Sequence, residues 1–207
     1  MAWPAPFRFG GRYTAKMVGR IAIGVALFLG WAAAQAAAGP TRVLDLHGRP
    51  VDPLRAPVGT VATVLVFTTS DCPISTRYAP EIARLAQGFR ARGVRFFLVY
   101  PVQGDTPVVI RKHLTTFAYD LPALRDTVQE LVTLTGVTVT PEAAVADARG
   151  HIVYRGRIDD RYVDFGRDRP APTTHDLEWA LDAIVAGKPV AVPETRAVGC
   201  ILADLVK

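Results

Sequence analysis

Residues 61–80 read VATVLVFTTSDCPISTRYAP, and the succession of residue types in this stretch decides the fold. Val61 to Phe67 is an apolar run rich in β-branched residues, the pattern of a strand buried on both faces in a parallel or mixed sheet. Thr68-Thr69-Ser70-Asp71 brings turn and N-cap residues, with Asp71 the expected cap. Pro73 fits the first turn of a helix, where its missing N–H has no intrahelical partner to lose. Ile74, Tyr78, Ile82, Leu85 and Phe89 then recur at spacings of three and four, predicting one long helix closed by Gly93. Cys72 therefore sits where a central strand ends and a helix begins. Open N–H groups and the positive end of the helix dipole favour thiolate over thiol there, and the charge of Asp71 opposes it.

The N-terminal 38 residues read as an address. Arg8, Arg12, Lys16 and Arg20 form a basic leader without acidic residues, followed by the apolar IAIGVALFLGW (residues 21–31) and the small-residue tract AAAQAAAG (residues 32–39). This is the pattern of a cleaved secretory signal peptide and predicts export to the periplasm. Counted with its alanines, the apolar segment reaches toward the ~20 residues of a membrane span, so an uncleaved N-terminal anchor is the alternative. The leader holds four of the 24 Lys and Arg, leaving 20 against 19 acidic residues in the rest. That balance gives no basic patch for nucleic acid. Residues 39–207 suit one domain with a full core, and residues 188–207 form a weakly patterned tail.

Between these ends the pattern alternates. Thr41 to Leu46 and Val94 to Tyr100 read as strands, Thr106-Pro107 starts a helix reaching about Tyr119, and Thr127 to Leu134 is a short helix stopped by Gly136. Glu142 to Ala146 and His151 to Gly156 form a hairpin around Asp147-Ala148-Arg149-Gly150. Asp159 to Pro172 is a polar loop, and Asp176 to Ala186 is an amphipathic helix. The order predicts an α/β fold, a mixed sheet with helices on both faces.

Three segments together resemble the thioredoxin-like superfamily, in its redoxin and peroxiredoxin-like (AhpC/TSA-type) branch. FTTSDCPIS (67–75) resembles the thioredoxin strand-to-helix junction, with Cys72 in the place of the attacking cysteine. GVTVTPEA (136–143) resembles the segment in which a residue before a cis-proline faces that cysteine, which would make Thr140-Pro141 the cis pair and the place where a substrate chain binds. VADARGHIVYRGR (145–157) is similar to the hairpin that follows. The resemblance implies a three-layer thioredoxin-like sandwich and an oxidoreductase or antioxidant acting on protein thiols, disulfides or peroxide, with an external thiol reductant and no organic cofactor.

The chain departs from the family pattern in two places. Ser75 stands where a Cys-x-x-Cys pair has its second cysteine, so Ser75 can only hydrogen-bond the sulfur and another thiol must resolve the intermediate. Thr69 lies three before Cys72 as in peroxiredoxins, but Leu65 occupies the place of their proline. Cys200, 128 positions on, is the internal candidate to resolve Cys72. A redox-active pair, a static disulfide and two separate thiols all remain open at this point. Two readings from other classes stand beside the enzyme. One is a copper-delivery protein using Cys72, Cys200 and His113, a donor set suited to Cu(I), although one cysteine at the junction departs from such proteins. The other is a catalytically silent module that holds a partner in the cis-proline groove. Arg155, Arg157, Asp159, Asp160 and Arg161 either line that groove or form solvated ion pairs, and Glu142 is either a proton relay or an exposed residue at a strand start.

Overall fold

The computed structural model describes residues 42–202; the leader lies outside them. Six strands form one mixed sheet: β1 (Leu44–Asp45), β2 (Ala62–Phe67), β3 (Val94–Tyr100), β4 (Ala123–Arg125), β6 (Glu142–Asp147) and β7 (Ile152–Gly156), with β5 (Val139–Thr140) apart from them. Their order is β1-β4-β3-β2-β6-β7. The strand β2 lies in the middle, parallel to β3 and antiparallel to β6. The helices are α1 (Pro73–Arg77), α2 (Ala79–Arg90), α3 (Pro107–Thr116), α4 (Glu130–Thr135) and α5 (Asp176–Val185). Two further short pairs are β8 (Tyr162–Asp164) with β9 (Arg167–Asp168), and β5 with β10 (Cys200–Ile201).

The central strands show why the sheet carries two cores. Side chains alternate across a strand, so a strand apolar at every position must bury both faces. Val64 and Val66 of β2, with Phe96, Leu98 and Tyr100 of β3, pack against Ile82, Leu85 and Phe89 of α2, Ile110 of α3 and Leu177 and Leu181 of α5. Leu65 and Phe67, with Phe97 and Val99, face the other way onto Leu131 of α4, Val137, Val43 and Leu202. Each fully buried Leu, Ile or Phe contributes roughly 1.5–3 kcal/mol against its exposed state.

The structure departs from the sequence reading at the helix after Cys72. It is two helices, not one, interrupted at Tyr78 (φ −84°, ψ −4°). Pro80 in the first turn of α2 has no N–H to offer the carbonyl of Thr76, and the ladder restarts behind it. Tyr78 is turned into the core, where its hydroxyl donates to Asp159 Oδ1 at 2.5 Å. The first strand is shorter than expected, and the polar loop after Gly156 contains the β8–β9 hairpin. In that loop Asp160 accepts bonds from the N–H groups of Thr173 and Thr174 and the hydroxyl of Thr173.

The tail is the larger difference. After α5 it runs back along β7, where Arg155 N donates to Pro193 O and Thr195 N to Arg155 O. Gly156 makes this approach possible. Its φ is +148°, and a Cβ there would lie 2.1 Å from Thr195 Oγ1 and 2.4 Å from its carbonyl oxygen. Gly156→Ala should therefore lower stability in urea unfolding by about 2–3 kcal/mol. A loss within about 0.5 kcal/mol, the range of an unconstrained surface site, would contradict this packing.

Candidate functional site

The register of the central strands brings the site together. Phe67, the last residue of β2, pairs with Glu142, the first of β6. The chain leaving β2 (residues 68–72) and the chain entering β6 (residues 139–141) must therefore lie side by side. The Thr140–Pro141 peptide is cis, and Cys72 Sγ lies 3.2 Å from Thr140 O, the acceptor open to it when it carries its proton. On the other side of Thr140, β10 pairs antiparallel to β5 with Cys200 opposite Thr140. Cys200 Sγ is 2.8 Å from Cys72 Sγ, and both are free thiols. The structure thus brings Cys72, Ser75, Thr140, Pro141 and Cys200 into one place.

Cys72, not Asp71, is the N-cap residue of α1, and no side chain caps that helix. Ser70 is held instead by Asp105, whose Oδ1 accepts from its N–H at 3.3 Å and its hydroxyl at 2.5 Å. This contact across 35 positions fixes the turn that presents Cys72. Only 2% of Cys72 is exposed, whereas Cys200 is partly open.

The two sulfurs are electrostatically unlike. Burial pushes the Cys72 thiol up, but the Cys200 thiol and the hydroxyl and N–H of Ser75 outweigh it and hold Cys72 below its ordinary value of 9.0. The Ser75 hydroxyl is buried, makes no other hydrogen bond and is free to turn toward the sulfur. Burial, the hydrogen bond to Cys72, and the charges of Cys72 and Asp71 push Cys200 up to about 12. The two directions are opposed, so when the pair holds a single proton the thiolate is favoured at Cys72 and the S–H at Cys200. Because a depressed pKa keeps the thiolate populated as pH falls, alkylation of Cys72 by iodoacetamide should have its pH midpoint below 9.0. Cys200 should react only in stronger alkali. Mass-resolved labelling rates across pH check this; a Cys72 midpoint at or above the ordinary value would contradict it.

Other candidates fall elsewhere. His113 does not approach the cysteines; it is buried on α3 with Nδ1 2.8 Å from the Tyr100 hydroxyl, so the donor set Cys72, Cys200 and His113 is not assembled. Among the described residues the one cluster of three possible metal ligands is Glu81, His175 and Glu178, and Arg84 bonds both of its carboxylates. Glu142 is buried, not exposed, and its Oε2 accepts the N–H groups of Thr138 and Val139. It thereby braces the segment that carries Thr140. Arg157 pairs with Asp176, and Arg155 with Glu194 and the carbonyl of Gly136. The sequence reading passed over Gly199, the one signal of a close approach next to Cys200.

Comparison with known proteins places these features. An uncharacterised conserved protein of Geobacillus kaustophilus is 25% identical, with a TM-score of 0.66 over 77% of this chain and 86% of its own. A hypothetical protein of Sinorhizobium meliloti is 22% identical, with a TM-score of 0.65 over 77% and 88%. MTB DsbF, solved in mixed oxidised and reduced forms, is 19% identical, with a TM-score of 0.50 over 71% and 99%. No curated protein matches the chain. The fold is α/β and thioredoxin-like. Residues 35–164 match the family model described as Redoxin, a span that holds Cys72, Thr140 and Pro141 and ends before Cys200. With more than half of its length matched, the chain belongs to the redoxin family.

Proposed function

We propose that the protein is an exported thiol-disulfide oxidoreductase, its residues 1–38 a signal peptide and residues 39–207 the working domain. Cys72 is the attacking thiol, Ser75 supports its thiolate, Thr140-Pro141 receive the partner backbone, and Cys200 resolves the intermediate. The observation that carries this reading is the pair of free sulfurs 2.8 Å apart, one favoured as thiolate and the other as thiol. A disulfide bond is about 2.05 Å long, so pairing requires the sulfurs to close by roughly 0.8 Å.

The chemistry balances in two exchanges. The Cys72 thiolate attacks one sulfur of a disulfide R1–S–S–R2, forming Cys72–S–S–R1 and releasing R2–S⁻. Cys200 then attacks Cys72 Sγ, forms the Cys72–Cys200 bond and releases R1–S⁻, which takes up the Cys200 proton. An external thiol reductant returns both cysteines. One observation favours a second oxidant: Thr69 is buried three residues before Cys72 with its hydroxyl unbonded, a donor available to a hydroperoxide. That route would leave a Cys72 sulfenic acid, which Cys200 would close with loss of water. Export rests on the leader alone; among the described residues no helix is long and apolar enough to cross a membrane. The test supplies the reduced protein separately with a chromogenic disulfide and with hydrogen peroxide. Stoichiometric thiolate release from the first supports the reading. Consumption of peroxide alone would make the protein a peroxidase, and inertness toward both would leave a binding module.

A further inference from the structure

The chain segment over the site is itself informative about how a partner enters. Residues 193–195 are fixed on β7: besides the two backbone bonds, Thr195 Oγ1 accepts from Arg157 N at 3.1 Å and lies 2.9 Å from the Tyr154 hydroxyl. Residues 195–198 have no regular structure, and Arg196 is exposed. Beyond them the chain lies down on β5: Cys200 pairs with Thr140, Ile201 with Val139, and Leu202 N donates to Thr138 O at 3.0 Å. Here the structure displays what a cysteine-bearing chain does when it reaches Cys72. It runs antiparallel to β5 and sets its cysteine opposite Thr140. That edge admits one chain at a time.

Gly199 decides how closely this chain fits. A Cβ on it would lie 2.1 Å from Thr140 O, 2.6 Å from Thr140 C and 3.1 Å from Pro141 N, all backbone atoms that cannot swing aside. A cleft of about 740 Å³ lies between the segment and Thr138, Val139, Glu142, Arg155 and Phe165, so residues 196–199 and Ile201 do not pack solidly onto the sheet; Leu202, buried in the second core, is the apolar contact that lifting must break.

We propose that residues 196–202 form a strap that competes with a partner's cysteine-bearing segment for the edge of β5, and that Gly199 is the positioning residue that lets the strap close. The proposal rests on the reading of Cys72 as the attacking thiol. In the reduced protein the strap lifts, the partner segment pairs with β5 in its place, and Cys72 takes the partner sulfur as Cys72–S–S–R1 while R2–S⁻ leaves. Return of the strap brings Cys200 onto Cys72 Sγ and removes the partner from the edge in one movement. Cys200 loses its proton to the departing R1–S⁻, so resolution and release are a single event.

The test uses a synthetic cysteine peptide activated as its mixed disulfide with thionitrobenzoate. Attack by Cys72 releases coloured thionitrobenzoate, and resolution releases the peptide. Cys200→Ser should stall as the Cys72–peptide mixed disulfide. Gly199→Ala, with both cysteines intact, should still release close to one equivalent of thionitrobenzoate in its first turnover yet release peptide about tenfold more slowly or worse than the parent, since small misplacement of a reacting group carries penalties of that order and above. Gly88→Ala, a control on α2 where an added Cβ meets open space, should behave as the parent. Resolution by Gly199→Ala at the parent rate, with Cys200→Ser trapping peptide, overturns the strap and leaves the oxidoreductase standing. Failure of Cys200→Ser to take up peptide overturns both. A second measurement does not depend on Gly199→Ala folding. In Cys200→Ser carrying the peptide, the Leu202 amide should lose its protection from hydrogen exchange; retained protection overturns the strap.

Discussion

Cys72→Ser should abolish disulfide exchange, lowering the second-order rate with a chromogenic disulfide by about a thousandfold or more, because it removes the sulfur whose pKa the site lowers. The remaining thiol, Cys200, does not compensate. Its pKa is pushed up to about 12 by burial and by its neighbours, and removal of the Cys72 charge relieves only part of that. The fold should survive. Cys72 is a small buried side chain at a helix start, its carbonyl still accepts the Thr76 N–H, and serine is a favoured N-cap residue. Circular dichroism and stopped-flow release of the chromophore measure the two effects separately. Loss of activity with loss of structure would say nothing of the sulfur, whereas retained exchange would remove Cys72 from the mechanism.

Cys200→Ser should split the reaction in two. The first turnover survives, with close to one equivalent of thiolate released per protein, and the steady rate falls about a hundredfold because resolution must await an external thiol in place of one already in contact. The burst should also be slower near neutral pH than in the parent. The Cys200 thiol is the leading contribution opposing burial in holding the Cys72 pKa down, so its removal moves the Cys72 midpoint upward and leaves less thiolate. Raising the pH should recover burst rate in this variant more than in the parent. Rapid-mixing traces with intact-mass analysis of the stalled protein check both points. A steady rate equal to that of the parent would show that Cys200 takes no part.

The sequence made the site's centre legible because its signals are local. An apolar β-branched run, a turn and a Pro-started helix place Cys72 by themselves. Thr106 caps α3 as read, its hydroxyl accepting Val109 N–H. The hairpin of β6 and β7 follows from two strand-like runs around a turn. What stayed hidden depends on contacts distant in the chain. Two residues, Cys200 and Ile201, carry no strand pattern of their own; they pair only because β5 offers an edge and Gly199 permits the approach. Asp105 reaches Ser70 across 35 positions, and Cys72, not Asp71, stands at the N-cap. Glu142 reads as polar and exposed, yet two unpaired N–H groups at residues 138 and 139 draw its carboxylate inward. Pro80 was visible, but the 3.6-residue period continues across it, and periodicity alone does not register an interrupted ladder.

The most direct measurement is thiol mapping by mass spectrometry of the full protein poised across a series of dithiol redox buffers. The account predicts a single reversible two-electron transition, in which one intramolecular link joins the peptides carrying Cys72 and Cys200 with loss of two hydrogens. Two cysteines that remain free throughout the series, or a link that no reductant in it can open, would contradict a working redox pair.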